Sequence, residues 1–133
     1  MTRINLVDPS ELSNQHLIAE YREIFMVGAA LQRSIKSKQW TKTKHELPTE
    51  FTLNKGHVKF FYNKGAYLHK RYKLIINEMK RRQMSPDPKR KFKVEQFPKE
   101  YYKDWIPNNK DLSIIRKRIN EKIAMKPNWY KWS

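Results

Sequence analysis

Residues 14–38 read NQHLIAEYREIFMVGAALQRSIKSK, and within them Leu17, Tyr21, Ile24, Gly28, Leu31 and Ile35 recur at steps of four and three. An α-helix turns once in 3.6 residues, so this spacing draws one buried stripe along a helix that ends near Lys38. Upstream, Asp8-Pro9-Ser10-Glu11 offers a capping residue, a proline suited to the first helical turn, and an acid three residues after the cap. The helix starts either there or at Asn14.

Two more helices follow. From Asn63 as cap, Gly65, Leu68, Tyr72, Ile75 and Met79 step by three and four and carry a second helix to about Gln83. Ser85-Pro86-Asp87-Pro88 stops it, because proline lacks a donor and restricts the residue before it. Asn108 caps a third helix whose stripe is Leu112, Ile115, Ile119 and Ile123, closed by Pro127. Gln39–Lys55 has no sustained period and reads as a long connection packing through Trp40, Leu47 and Phe51. Lys89–Pro107 reads as irregular chain laid over the core. The expected fold is all-α: one compact domain over 1–133, with three helices and long irregular connections.

At 133 residues there is room for one domain. The chain carries 29 Lys and Arg against 13 Asp and Glu, a formal charge of +16 that far exceeds what solubility requires. A polyanionic partner follows, nucleic acid before an acidic membrane surface. With no cysteine there is neither a disulfide nor a thiolate metal site. The start lacks the long apolar run of a signal peptide, and no apolar stretch is long enough to span a bilayer. A soluble, cytoplasmic protein is expected.

Metal and nucleotide chemistry are disfavoured. His16, His45, His57 and His69 fit no ligand spacing, and the three glycines are isolated, so neither a metal site nor a phosphate loop is expected. On the first helix, Gln15, Arg22 and Glu23 cluster beside the apolar stripe. From periodicity alone such a cluster is either a functional site or a set of satisfied polar groups and ion pairs at the core's edge.

Four blocks standing in order along the chain narrow the choice. They are Thr2-Arg3-Ile4-Asn5-Leu6; Gln15-His16-Leu17 with Ala19-Glu20-Tyr21-Arg22-Glu23; Gly56-His57-Val58 with Phe60-Phe61-Tyr62; and Arg118 with Glu121-Lys122-Ile123-Ala124, leading to Pro127 and Trp129-Tyr130-Lys131. Together they resemble the pyrimidine-dimer DNA glycosylase family. The resemblance implies three helices with long connections, no cofactor, and a monomer acting on double-stranded DNA that contains pyrimidine dimers or abasic sites. A nucleoid setting is expected, with a viral or phage origin open.

The resemblance also implies a mechanism. After removal of the initiator methionine, the Thr2 amine attacks the anomeric carbon of the damaged nucleotide, expels the base, and leaves an imine through which β-elimination cuts the strand. An α-amine titrates near ~7.7–8.0 and a lysine near ~10.4, so roughly a tenth of the former is free base at neutral pH. Glu23 matches the family's carboxylate, implied to stabilise positive charge on the opening sugar and to move protons. Arg3, Gln15, Arg22, Arg118 and Lys122 match positions that hold the lesion-bearing strand, and His16, Trp129, Tyr130 and Lys131 complete the expected DNA-binding set. Trp129, Tyr130 and Trp132 either stack on nucleotides or anchor the tail to the core. Met26 departs from the pattern, since the phage-type sequence carries an arginine there. Lys70, Arg71, Lys80, Arg81, Arg82, Lys89, Arg90 and Lys91 are expected to give nonspecific attraction to DNA. A noncatalytic nucleic-acid-binding protein, and a lyase for abasic sites or another damaged base, stand as alternatives.

Overall fold

The stripe on residues 14–38 forms the longest element of a computed structural model that describes residues 3–132. In chain order the elements are a 3-10 turn (Pro9–Glu11), α1 (Asn14–Lys36), α2 (Trp40–Thr43), α3 (His57–Phe60), α4 (Gly65–Arg81), two further 3-10 turns (Val94–Gln96 and Lys99–Tyr101) and α5 (Asn109–Met125). The all-α expectation holds, with no strand among the described residues. The helix count does not: five α-helices are present where three were expected. The two additional ones, α2 and α3, are four-residue turns within the long connection and just before α4, too short to carry a 3.6-residue period. None of these helices is long and apolar enough to cross a membrane.

Ser13, not Asp8, caps α1, its hydroxyl accepting the His16 N–H at 3.1 Å. Asp8 accepts the Ser10 N–H and winds only the 3-10 turn, after which Leu12 is extended. Leu17, Ile24, Val27 and Leu31 of α1 pack with Leu68 and Ile75 of α4, and Ile4, Leu12, Phe61 and Ile115 close the same cluster. Each such side chain contributes roughly 1.5–3 kcal/mol on full burial.

The expected Asn63 cap is corrected. Lys64 stands at the cap position with no side-chain cap bond, and Asn63 Oδ1 instead accepts from Lys64 Nζ. A distant carbonyl does part of the work, because the Tyr67 N–H of the first turn donates to Lys103 O at 3.3 Å. Gly65 is required there by close approach: a Cβ would lie 2.7 Å from the ring of buried Phe97. At the other end the Met84 N–H reaches Met79 O and the Gln83 N–H reaches Lys80 O, with Gln83 at φ 63°. This is a Schellman closure with a non-glycine residue in the left-handed position. Asn108 does cap α5, in a reciprocal box with Asp111.

Two arginines assigned to DNA attraction are instead part of the interior. Arg71 is buried against Glu20, and Arg82 is buried against Glu78 while donating to Asn14 Oδ1 and to the carbonyls of Pro9, Ser10 and Leu12. Guanidinium carries several donors in a fixed fork, and here they satisfy the Ser10 and Leu12 carbonyls and share that of Pro9 with the Leu12 N–H. Lys70 and Arg81 remain exposed but pair with Asp104 and Glu78.

Candidate active site

The segment Arg3–Val7 has no regular structure, yet it is buried, so its backbone donors need partners. Side chains supply them. The Arg3 N–H donates to Glu23 Oε2 at 2.6 Å, Ile4 N–H to His57 Nε2 at 2.9 Å, and Asn5 N–H to Glu20 Oε1 at 3.1 Å. Leu6 sits at φ 60°, and around it the Val7 N–H closes on Asn5 O at 2.5 Å in a γ-turn. A left-handed leucine costs on the order of 1–3 kcal/mol and persists only where its surroundings over-determine it. The buried Leu6 side chain and the Arg71 bond to Val7 O are those surroundings.

Glu20 and Arg71 form the base of the site. Arg71 Nε and Nη2 donate to the two oxygens of Glu20 at 2.6 and 3.0 Å, and Asn5 Nδ2 adds a further bond to Oε1. Burial disfavours the Arg71 cation, but Glu20 more than offsets this and raises its pKa. Removing one partner from such a buried pair typically costs about 3–5 kcal/mol. Asn5 Oδ1 is a buried acceptor with no partner, at the edge of the cleft above.

That cleft has a volume of about 160 Å³. One wall is α1, with His16, Ala19, Glu20 and Glu23; the N-terminal segment gives Arg3 and Asn5; α5 gives Arg118 and Lys122, one turn apart; the C-terminal tail gives Tyr130. Two larger hollows, of about 470 and 520 Å³, flank residues 86–93, but neither includes Glu23. Burial raises the Glu23 pKa, and the Arg3 N–H only partly opposes the rise. Burial and the charge of Arg118 lower the pKa of His16, and the same two influences, burial first, lower that of Arg3. The cleft thus sets one half-buried carboxyl among cations.

The tail is strapped to the start of α1. Gln15 Nε2 donates to Trp129 O at 2.7 Å and its Oε1 accepts the Lys131 N–H at 3.1 Å, while the Asn14 N–H donates to Lys131 O. The Tyr130 ring stacks on His16 at 4.8 Å and 5°, and Trp132 Nε1 donates to Glu11 O. Of the expected site residues, Arg3, His16, Glu23, Arg118, Lys122 and Tyr130 meet around the cleft. Gln15 spends its amide on the tail, Arg22 is exposed and does not line the cleft, and the Lys131 backbone is part of the strap. Trp129 is 53% exposed, edge-on to Tyr130, so its indole remains open to solvent. Met26 is 50% exposed. Thr2 lies outside the described residues.

Asn5, Glu20 and His57 were given no site role by the sequence and Arg71 only a surface one, although a signal existed for two of them. Glu20 stands three residues after Leu17 and four before Ile24, and Arg71 stands three after Leu68 and four before Ile75. Opposite charges at the same register of two buried stripes mark a buried ion pair. Among the described residues no group of three His, Asp or Glu gathers as a metal site. In comparison with known families, the model of the family described as pyrimidine dimer DNA glycosylase matches residues 1–92, which include α1, α4 and the N-terminal segment.

Proposed function

The chain belongs to the pyrimidine dimer DNA glycosylase family, and from that premise we propose that it is a bifunctional N-glycosylase and abasic-site lyase whose nucleophile is the Thr2 amine freed by loss of Met1. The observation that carries this reading is the 2.6 Å bond from the Arg3 amide to Glu23 Oε2. Covalent geometry keeps the nitrogens of consecutive residues within ~3.7 Å. The proposed nucleophile belongs to the residue bonded in sequence to that anchored amide.

The amine's lone pair attacks C1′ of the damaged nucleotide, and the glycosidic bond breaks with its electrons on the departing base, which takes up a proton. Opening of the sugar ring gives a protonated imine. Glu23, ionised, stabilises that positive charge; protonated, it can return the proton that ring opening requires. Loss of a C2′ proton then expels the 3′ phosphate. Arg118 and Lys122 hold phosphates, and the exposed face of Trp129 offers a stacking surface for a nucleotide. Selectivity comes from deformability, since a cross-linked dimer stacks poorly and its duplex bends at lower cost. We place the protein as a monomer acting on duplex DNA in the cytoplasm.

The test is borohydride trapping on ultraviolet-irradiated duplex, preceded by an intact mass of the purified protein to establish whether Met1 is gone. The expected product is a covalent adduct on the N-terminal peptide. Glu23→Gln should lose base release by 100-fold or more, on the order of removing one electrostatic stabiliser, while binding the irradiated duplex as before. A processed protein that binds this DNA but yields neither adduct nor nicks would favour a noncatalytic binder. Cutting at abasic sites with failure on dimers would favour a lyase.

A further inference from the structure

The amide groups of residues 3–5 point alternately to opposite sides, as in extended chain. Arg3 and Asn5 donate towards α1, to Glu23 and Glu20, and Ile4 donates the other way, to His57 Nε2 at 2.9 Å. His57 is 1% exposed, and its Nδ1 lies 2.8 Å from Thr52 O. A carbonyl only accepts, so Nδ1 carries the proton; a backbone N–H only donates, so Nε2 presents a lone pair. The two contacts select one neutral tautomer. Phe51 and Phe61 pack edge-on against the ring, at 5.4 and 5.3 Å between centroids.

We propose that His57 is a positioning residue of the reaction, whose Nε2 lone pair fixes the Ile4 amide and thereby sets the backbone of residues 3–5 at the distance from Glu23 that an N-terminal nucleophile needs. The inference rests on the Thr2 reading above and extends it to a residue outside the cleft lining. Glu20 and Glu23 pull from the α1 side alone. His57 supplies the opposing backbone anchor. Arg3 also reaches this side, Nη2 to Leu53 O at 2.6 Å, but through a long side chain that locates its head group rather than the main chain. A buried Ile4 N–H deprived of its acceptor regains a partner only if the segment moves. Misplacement of a nucleophile by about 1 Å costs on the order of 100-fold in rate.

The acceptor is kept neutral by its surroundings. Burial is the main cause, Arg3 from the N-terminal segment and Arg118 from α5 act with it, and the Thr52 carbonyl and Glu20 of α1 act against it; the pKa falls to about 4. Nε2 is therefore an acceptor throughout the neutral range.

Two amide substitutions separate positioning from packing. In His57→Gln the side-chain oxygen can reach the place of Nε2, whereas in His57→Asn the side-chain nitrogen can reach only the place of Nδ1. The measurement is the single-turnover rate of borohydride trapping on saturating abasic-site duplex, together with the duplex Kd. His57→Gln should trap within about threefold of wild type, and His57→Asn about 10- to 100-fold more slowly, both with Kd within about twofold of wild type. Equal rates for the two variants, or rates that follow Kd, overturn the proposal. Wild-type protein that traps nothing overturns the nucleophile reading and this inference with it; trapping by wild type and by His57→Asn alike overturns this inference alone. Should His57→Asn fail to fold, the imidazole nitrogens of the wild type decide by NMR: an unprotonated Nε2 coupled across the hydrogen bond to the Ile4 amide supports the proposal, and a protonated Nε2 overturns it.

Discussion

Glu23 sits half in solvent and half in the core, and this placement decides its chemistry. Burial lifts its pKa above the ordinary 4.5 of a glutamate. Protonation of the amine nucleophile already slows base release on the acid side; if the ionised carboxylate stabilises the developing sugar cation, a further fall with a midpoint above 4.5, absent in Glu23→Gln, should appear in single-turnover rates against pH. A midpoint at or below 4.5 would count against the carboxylate role. His57 behaves in the opposite sense. Its pKa drops from 6.5 to about 4 on folding, so the unfolded chain binds a proton that the folded chain refuses. Its contribution is intact above pH 6.5 and is lost as pH falls towards 4, by up to ~3 kcal/mol. Urea midpoints measured from pH 7 to 4.5 should show that decline, and His57→Gln should flatten it.

Among the elements, α1, α4 and α5 were legible because each repeats apolar residues over several turns, and the Asn108 cap was legible because it stands just ahead of such a repeat. What was hidden depended on distant chain. The start of α4 leans on the Lys103 carbonyl, so a local cap at Asn63 was never needed. Arg71 and Arg82 look like surface charge until Glu20, Glu78 and the turn at Pro9 are brought against them. The φ of 60° at Leu6 carries no mark in the sequence, because leucine does not advertise a left-handed conformation. One element ending invites improvement: Gln83 is exposed and occupies the left-handed position that favours glycine. Gln83→Gly should raise stability by about 0.5–1 kcal/mol in thermal or urea denaturation, and a loss would show that its side chain holds something else.

At the scale of the whole molecule, a charge of +16 sets how the protein meets DNA. With Arg71 and Arg82 committed to the interior, phosphate contact falls to the exposed cations, and Arg118 and Lys122 stand nearest the Glu23 carboxyl on α5. Changing either to glutamine should weaken binding across all sequences and reduce the slope of log affinity against log salt by about 1. An unchanged slope would remove that residue from the phosphate-contacting set. The cleft joins segments far apart in sequence: Arg3 and Asn5 line one side and residues 118–130 the far wall, with Gln15 and Asn14 fastening the tail in place. A ribosome that still encloses residues 118–130 therefore displays only half a cleft. Competence to grip DNA would arrive late, once residues 118–130 have emerged, long after the earlier helices have had time to dock.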